Sequence, residues 1–179
     1  MELYEVLYAD PPWKYGFSRS KTRKVENQYP TMTVADISAL GPRLPIADDA
    51  VLYLWATAPK LLEALEVMRA WGFEYKTCAV WDKQRIGMGY YFRGRHELLL
   101  VGKRGNYPVP APSKRVASVF TEVRRGHSRK PECVRRWIES AYPSALKLEL
   151  FARGVALGWS AWGDEVPEAE RAVLREVRP

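Results

Sequence analysis

The sequence predicts one α/β domain built on a mainly parallel sheet with helices on both faces. Apolar runs bounded by turn residues alternate along the chain with segments of helical period, which is the order expected when crossover helices join parallel strands. Most of these runs are apolar throughout rather than at every second position, as in strands covered on both faces. The chain has 179 residues and 47% hydrophobic content, which is sufficient for one substantial core.

Six strands and three helices are predicted from this pattern. The strands are expected at about 3–9, 50–56, 74–81, 97–102, 117–123 and 146–152, and the helices at about 33–40, 59–71 and 131–141. Thr33 can cap the first helix, and Pro59 and Pro131 suit first-turn positions of the other two. We expect residues 1–166 to form the domain and 167–179 a tail containing a helix from Glu168 to Val177.

Three basic segments interrupt the alternation of strands and helices, at about 14–28, 82–96 and 103–115. Taken singly, each is more typical of a solvated surface than of a binding site. Together they combine basic charge with aromatic rings, which is what an unpaired or flipped nucleobase and its phosphates require. The net charge of +7 favours an anionic partner such as nucleic acid, although a basic surface can equally serve solubility alone.

Several classes of protein are disfavoured by composition. Cys78 and Cys133 are expected to be buried free thiols in a reducing compartment rather than a disulfide. With two histidines and no CxxC, no metal site is expected. No apolar stretch reaches the ~18 residues needed to span a membrane, and the N-terminus does not resemble a signal peptide. We therefore expect a cytoplasmic protein.

The motif Asp10-Pro11-Pro12-Trp13 directly follows the first predicted strand. An exocyclic amine on a flat heterocycle could donate its two hydrogens to the Asp10 carboxylate and a proline carbonyl while the ring stacks on Trp13. An amine held in this way is oriented to attack an electrophilic methyl group. The same four residues also suit an ordinary turn that ends a strand. The position favours a site, because ligands gather at the carboxyl ends of strands in open α/β sheets.

Two later segments suggest a second ligand. Lys130 precedes a predicted helix, where a carboxylate would be attracted. Glu149 lies in the segment from Leu148 to Arg153 that closes a predicted strand, where a carboxylate can accept hydrogen bonds from ribose hydroxyls. These are the two ends of a ligand like S-adenosylmethionine. Each residue also has a simpler explanation, as an exposed lysine and as the partner of a basic side chain such as Arg153. The sequence has no GxGxxG.

From residue 4 to 166 the chain resembles the N6-adenine methyltransferases typified by the eukaryotic messenger-RNA methyltransferase catalytic subunit, which have bacterial and phage relatives. The pieces that carry the resemblance occur in the family's order: Asp10-Pro11-Pro12-Trp13, Tyr29-Pro30-Thr31-Met32, Leu54-Trp55-Ala56-Thr57, Trp71-Gly72-Phe73, Trp81-Asp82-Lys83, Glu97-Leu98-Leu99-Leu100-Val101-Gly102, His127-Ser128-Arg129-Lys130-Pro131, Glu149-Leu150-Phe151-Ala152-Arg153, and Gly158-Trp159 with Trp162-Gly163.

The resemblance implies a Rossmann-like methyltransferase fold in which the catalytic motif precedes the cofactor motif. It implies that the catalytic residues are Asp10, Pro11, Pro12 and Trp13. Asp10 and Pro11 would hold the adenine amino group, and Trp13 would shape the stacking pocket. The cofactor-binding residues for S-adenosylmethionine would be Asp10, Lys130, Glu149, Phe151, Arg153, Asp164 and Glu165. Substrate-binding residues would be Tyr29 and Trp55 in the pocket, with Lys83, Arg93 and Arg95 from the basic loops.

The expected function is methylation of the N6 amine of adenine in nucleic acid, with DNA favoured and RNA as the alternative. A catalytically silent nucleic-acid-binding homologue is the second possibility, and a cytosine amine or a side-chain amide as target is the third. A homodimer or a heterodimer with a homologue is compatible with the resemblance. The chain departs from the family at Asp164 and Glu165, where polar amides are common, and at Gly154-Val155, which offer only backbone contacts.

Overall fold

A computed structural model describes residues 2–15, 30–123 and 129–174. Its described residues form one seven-stranded sheet in the order β5-β3-β4-β2-β1-β6-β7. The strands are β1 (Tyr4–Ala9), β2 (Ile46–Ala56), β3 (Glu74–Asp82), β4 (His96–Arg104), β5 (Val119–Thr121), β6 (Lys147–Leu150) and β7 (Ser160–Trp162).

The sheet is mainly parallel, as predicted. Strand β1 is parallel to β2 and to β6, β6 is parallel to β7, and β3 is parallel to β5. Strand β4 runs antiparallel to both β2 and β3, so it is the reversed strand of the sheet. The six predicted strands are confirmed with shifted ends. Strand β7 was not predicted, since three residues, Ser160 to Trp162, are too few to show a pattern.

Helices cover both faces of this sheet. They are α1 (Val34–Ser38), α2 (Leu61–Ala70) and α3 (Glu132–Ala141). Alternate residues of β1 point to opposite sides: Leu7 packs in the cluster that contains α1 and α2, and Tyr8 packs in the cluster that contains α3. Both sets are buried, which explains why the strand reads as continuously apolar.

The helix ends agree with the sequence in part. Thr33 caps α1 in a capping box with Asp36: the Thr33 hydroxyl accepts from the Asp36 N–H, and the Asp36 carboxylate accepts from the Thr33 N–H. Pro59 lies in a 3₁₀ turn that leads into α2, and Pro131 lies one residue before α3. The predicted tail helix is wrong over its described part, because only Glu168–Glu170 form a single 3₁₀ turn. Ala172 instead donates its N–H to the carbonyl of Ala161 on β7.

One edge of the sheet collects the chain segments that carry the predicted site. Strands β1, β2, β6 and β7 all end there, and because β4 is reversed, its first residues lie at the same edge. From the end of β1 the chain crosses to β2, on one side of the adjacent pair β1 and β6. From the end of β6 it crosses to β7, on the other side of this pair. The ends of β1 and β6 therefore flank a topological switch point, where open α/β sheets bind ligands.

Cys78 and Cys133 are free and half-buried, so the expectation of free thiols is confirmed, although they are less buried than expected. No helix in the described ranges is both long and apolar enough to cross a membrane. Within the same ranges, no group of three or more His, Cys, Asp or Glu side chains is placed to hold a metal ion.

Candidate active site

Two adjoining cavities open at the C-terminal edge of the sheet, with volumes of about 390 Å³ and about 260 Å³. Asp10, Lys130, Phe151 and Arg153 line both, so they stand where the two spaces meet. The larger cavity continues over Pro11, Pro12 and Trp13 and reaches Asp164 and Glu165; the smaller continues over Glu149 and Arg135. A site that brings two ligands together requires two spaces joined in this way.

Asp10 lies directly after β1, where its backbone N–H donates to the carbonyl of Leu150 on β6 at 3.5 Å. Its Oδ2 accepts a hydrogen bond from Lys130 Nζ at 2.7 Å. Burial raises the pKa of Asp10 above the usual range, and the charge and hydrogen bond of Lys130 only partly offset this. Among the described residues, the hydrogen bond from Lys130 goes to Oδ2, and a carboxylate can accept further bonds at its second oxygen.

Lys130 also lies 3.3 Å from Glu97 Oε2, so one ammonium joins two carboxylates. Burial alone would lower the pKa of Lys130, but Asp10 and Glu97 together raise it above the usual value. Glu97 is held by a second cation, since Lys83 Nζ donates to its Oε1 at 3.2 Å. Burial opposes ionisation of Glu97, yet Lys130 and Lys83 outweigh it and hold its pKa below the usual range.

Glu97 was not among the predicted site residues, although it lines the larger cavity. An acidic residue opening the apolar run of β4 was a usable signal. Its meaning depended on the reversed direction of β4, however, because only a reversed strand places its first residues at the C-terminal edge.

The prolines and Trp13 form one wall of the larger cavity. The Pro11 carbonyl accepts from the Trp13 N–H at 2.9 Å, and the Pro12 carbonyl accepts from the Met32 N–H at 2.9 Å. Each carbonyl has a second lone pair, so these bonds do not prevent a further ligand bond. Trp13 is buried, and its Nε1 donates to the Trp55 carbonyl at 3.1 Å. The motif is therefore locked to the end of β2 as well as to β1.

Trp55 contributes another part of the wall of the same cavity. The ring is fully buried, and Lys130 Nζ lies 5.8 Å from its centroid, which is within cation–π range. Tyr15 and Thr57, which were not predicted, also line the cavity; their hydroxyls are 2.7 Å apart. Lys60 Nζ lies 5.3 Å from the centroid of the Tyr15 ring.

Glu149 lines the smaller cavity together with Arg135, which was also not predicted. Arg135 Nη2 donates to Glu149 Oε1 at 3.0 Å and lies 2.9 Å from Oε2. No donor among the described residues is aligned with Oε2, so this buried oxygen has unused accepting capacity. Burial raises the pKa of Glu149 to about 7; Arg135 opposes the shift, while Asp10 and Glu132 add to it.

The turn after β6 is built around Phe151, which has φ of +59°, a left-handed conformation that is rare for a bulky residue. Such outliers cluster at ligand sites. The Phe151 ring packs edge-on against Trp162, with centroids 5.7 Å apart. Gly163 is required beside this turn, because a Cβ there would collide with the Ala152 backbone. Arg153 follows and forms an ion pair with Glu165 at 3.5 Å.

The three basic residues predicted to contact nucleic acid do not line either cavity. Lys83 is paired with Glu97, and Arg95 makes two 2.7 Å hydrogen bonds to the Asp82 carboxylate. Arg93 Nε donates to the Gly87 carbonyl at 3.0 Å. All three belong to the hairpin that joins β3 to β4. Tyr29, which was predicted to lie in the pocket with Trp55, falls outside the described residues.

The sequence matches the family model MT-A70 over residues 4–165. The chain belongs to the MT-A70 family. It is 37% identical to the type II methyltransferase M.MunI of a Mycoplasma species, over 92% of this chain and 78% of that protein. It is 30% identical to the N6-methyladenosine RNA methyltransferase MTA1 of Cryphonectria parasitica, over 92% of this chain and 52% of that protein.

Human METTL3, an N(6)-adenosine-methyltransferase catalytic subunit, is 29% identical over 91% of the chain and 28% of its own length. The chain thus spans about half or less of these two eukaryotic relatives. Membership of the MT-A70 family confirms the expected methyltransferase activity, its dependence on S-adenosylmethionine and the Rossmann-like fold.

The site suits this cofactor chemically. S-adenosylmethionine carries a carboxylate and ribose hydroxyls, and the shared cavity wall offers a cation, Lys130, and an acceptor with unused capacity, Glu149 Oε2. Phe151, in its left-handed turn, lines the same cavity as these two residues.

Proposed function

We propose that this MT-A70 protein transfers a methyl group to the N6 amine of adenine in DNA. The observation that carries the proposal is the position of Asp10, whose carboxylate lies where the two cavities meet. An amine bound to Asp10 from one cavity is adjacent to whatever occupies the other. The ion pairs that Lys130 makes with Asp10 and Glu97 hold the Asp10 carboxylate in place, so an amine bound to it is oriented before reaction.

In this proposal the target adenine enters the larger cavity along Pro11, Pro12 and Trp13. Its amino group donates one hydrogen to Asp10 Oδ1 and the other to the remaining lone pair of the Pro11 carbonyl. Two acceptors draw the nitrogen lone pair out of conjugation with the ring, which makes it nucleophilic. A base stacked in a duplex cannot reach this position, so the adenine must be extruded.

The donor side consists of Lys130, Glu149, Phe151 and Arg153, with Asp164 and Glu165 at the far end of the larger cavity. S-adenosylmethionine, when bound there, would supply an electrophilic methyl group, and its sulfonium sulfur would leave as the neutral thioether of S-adenosylhomocysteine. Lys130 attracts its carboxylate and Glu149 accepts from its ribose hydroxyls. The methylated amine then loses one proton, to Asp10 or to water. Lys130 is no candidate base, since its two carboxylates keep it protonated.

DNA is favoured over RNA by the comparisons. Identity to the type II methyltransferase is 37% with 78% of that protein covered, whereas identity to the RNA methyltransferase is 30% with 52% covered. We further propose a cytoplasmic protein of bacterial or phage origin that acts as a homodimer or with a homologue, and that Lys83, Arg93 and Arg95 belong to its nucleic-acid surface.

The test is to incubate the protein with methyl-labelled S-adenosylmethionine and matched DNA and RNA oligonucleotides, single- and double-stranded, and to identify the labelled nucleoside. Label in N6-methyl-2′-deoxyadenosine is expected. Label in RNA alone would show that the polymer is wrong, and label on cytosine that the base is wrong. Cofactor binding without transfer to either polymer would indicate the silent homologue instead.

A further inference from the structure

The β3–β4 hairpin, residues 83–95, presents exposed aromatic rings at the C-terminal edge of the sheet. Trp81 on β3 pairs with Glu97 on β4, and Asp82 pairs with His96, so the hairpin begins beside Glu97. Glu97 itself lines the larger cavity. The hairpin therefore projects from the edge that carries Asp10.

The hairpin is an ordered turn. At its root, the Lys83 N–H donates to the Arg95 carbonyl at 3.0 Å, and the Asp82 carboxylate binds both the Gln84 N–H and the Arg95 guanidinium. Higher up, the Gly87 N–H donates to the Gly94 carbonyl at 2.8 Å. At the tip, a Cβ on Gly89 would collide with the Phe92 carbonyl, so the chain folds back as tightly as glycine permits.

Two rings at this tip are almost fully exposed. Tyr91 is 99% exposed and Phe92 is 89% exposed, and Ile86 and Met88 beside them are also exposed. Adjacent apolar side chains held in water on an ordered turn are typical of a binding surface.

The charge of the hairpin indicates what binds there. Residues 83–95 contain Lys83, Arg85, Arg93 and Arg95 and no acidic residue. Within the described part of the chain, Lys83 and Arg95 are paired with carboxylates, whereas Arg85 and Arg93 make no ion pair. A second copy of this chain would bring the same positive charge to the contact, which disfavours self-association through this hairpin. A nucleic-acid strand provides flat bases that can stack on the rings and phosphates that can bind the guanidinium groups.

We infer that the tip of the β3–β4 hairpin stacks Tyr91 and Phe92 on unpaired nucleobases that flank the target adenine, with Arg85 and Arg93 on the adjoining phosphates. This inference rests on the proposed function. It adds that the β3–β4 hairpin binds the substrate strand outside the two cavities. Extruding a base disrupts the stack on either side of it, and aromatic rings at the catalytic edge can replace the lost stacking.

The test measures binding of a fluorescent, adenine-containing single-stranded DNA by anisotropy, using the full chain. The double variant Tyr91→Ala with Phe92→Ala is expected to bind about tenfold or more weakly, as for the loss of base–aromatic stacking. Tyr91→Phe should bind like the wild type, whereas Tyr91→Leu, which stays apolar but loses its flat ring, should not. Tyr75→Ala is the control: Tyr75 is 43% exposed at the opposite end of β3, roughly 25 Å away.

The salt dependence of DNA affinity distinguishes the contribution of the aromatic rings from that of the arginine charges. The aromatic variants should weaken binding without changing the slope of log affinity against log salt, whereas Arg85→Gln should reduce the slope by about one. In the methyl-transfer assay the double variant should raise KM for DNA and leave cofactor affinity unchanged. Equal binding and KM for the double variant and the wild type would overturn the inference, as would a loss of dimer in sedimentation without a loss of DNA affinity.

The outcomes also separate this inference from the proposed function. A wild-type protein that binds DNA through the hairpin yet methylates no nucleic acid would contradict the function alone. A wild-type protein that methylates adenine with hairpin variants that bind and turn over normally would contradict the hairpin inference alone.

Discussion

Lys130 Nζ lies 2.7 Å from Asp10 Oδ2 and 3.3 Å from Glu97 Oε2, so a single ammonium forms ion pairs with two carboxylates of the site. Asp10 directly follows β1, Glu97 is near the start of the reversed strand β4, and Lys130 precedes α3. The three elements are far apart in sequence and meet only at the C-terminal edge of the sheet. This ion-paired cluster sets the charge around the proposed amine site and is the first target for substitution.

Replacing Asp10 with Asn should abolish methyl transfer while leaving cofactor affinity nearly unchanged. The side chain keeps its size, but its amide loses the negative charge and can present its NH₂ group to the amine. We expect kcat to fall roughly 100-fold or more, as for the loss of one preorganised polar group at a reaction centre. Transfer is measured with labelled S-adenosylmethionine, and cofactor binding by calorimetry. Turnover close to that of the wild type would exclude the proposed amine contact.

Replacing Lys130 with Met should shift the acid limb of the rate–pH profile to higher pH. Both Asp10 and Glu97 lose a cation that favours their charged form, so both pKa values rise. Lys83→Met is the matched control, because Lys83 contacts Glu97 but not Asp10, and it should cause a smaller shift. Equal shifts for the two variants would show that Asp10 does not govern the rate.

The same Lys130 variant should be less stable at neutral pH, by about 1–3 kcal/mol, because two partly buried carboxylates lose their partner. Because both pKa values are higher in the variant than in the wild type, both carboxylates become protonated at a higher pH in the folded variant, and a neutral carboxyl group no longer needs the missing cation. Stability relative to the wild type should therefore recover on acidification. Urea unfolding at several pH values measures this, and a deficit that is constant with pH would count against the charge explanation.

The features of the fold that were predicted correctly depend on residues that are close together in the sequence. Strand β1 and the motif Asp10 to Trp13 are adjacent in sequence, and the capping box at Thr33 spans one helical turn. Continuous apolar character identified buried strands because both faces of the sheet are covered. The family motifs pointed to Lys130 and Glu149, which both line the smaller cavity; their roles there stay predictions.

The parts that were missed depend on contacts across the fold. Glu97 enters the site only because β4 is reversed, and Arg135 because α3 packs beside β6. The tail helix was wrong because the described part of that segment lies against Ala161 on β7, where pairing with a strand outweighs helical periodicity. Propensity cannot anticipate such contacts, since they involve residues distant in sequence.

Trp13→Phe should destabilise the fold more than Trp137→Phe. Each indole donates one hydrogen bond to a backbone carbonyl, Trp13 to Trp55 in the buried interior and Trp137 to Lys114 at an exposed position. Losing the buried bond leaves the Trp55 carbonyl unsatisfied, at a cost of about 1–3 kcal/mol, whereas water can replace the exposed one. Urea unfolding at fixed pH measures the free energy of unfolding of the two variants. Equal decreases for both would contradict a structural role for the hydrogen bond from Trp13.

Glu149→Gln should remove a pH dependence of stability that lies between about pH 4.5 and 7. Burial raises the pKa of Glu149 from 4.5 to about 7, so the folded protein holds this proton more tightly than the unfolded chain. Its stabilising effect is full below about pH 4.5 and is lost as the pH rises through 7, a loss on the order of 3 kcal/mol. The wild type should therefore lose unfolding free energy over this range, and the Gln variant should lose less. Glu66→Gln, exposed on α2, is the control.

Cofactor affinity should change in the opposite direction over the same pH range. Only the ionised Glu149 presents two accepting oxygens to ribose hydroxyls, so wild-type affinity for S-adenosylmethionine should increase as the pH rises through about 7. Binding near pH 7 should release protons, which calorimetry detects as a dependence of the enthalpy on the buffer. The Gln variant should bind more weakly and without proton release. If its proton release matched that of the wild type, another group would be titrating, and Glu149 would have no contact with the ribose.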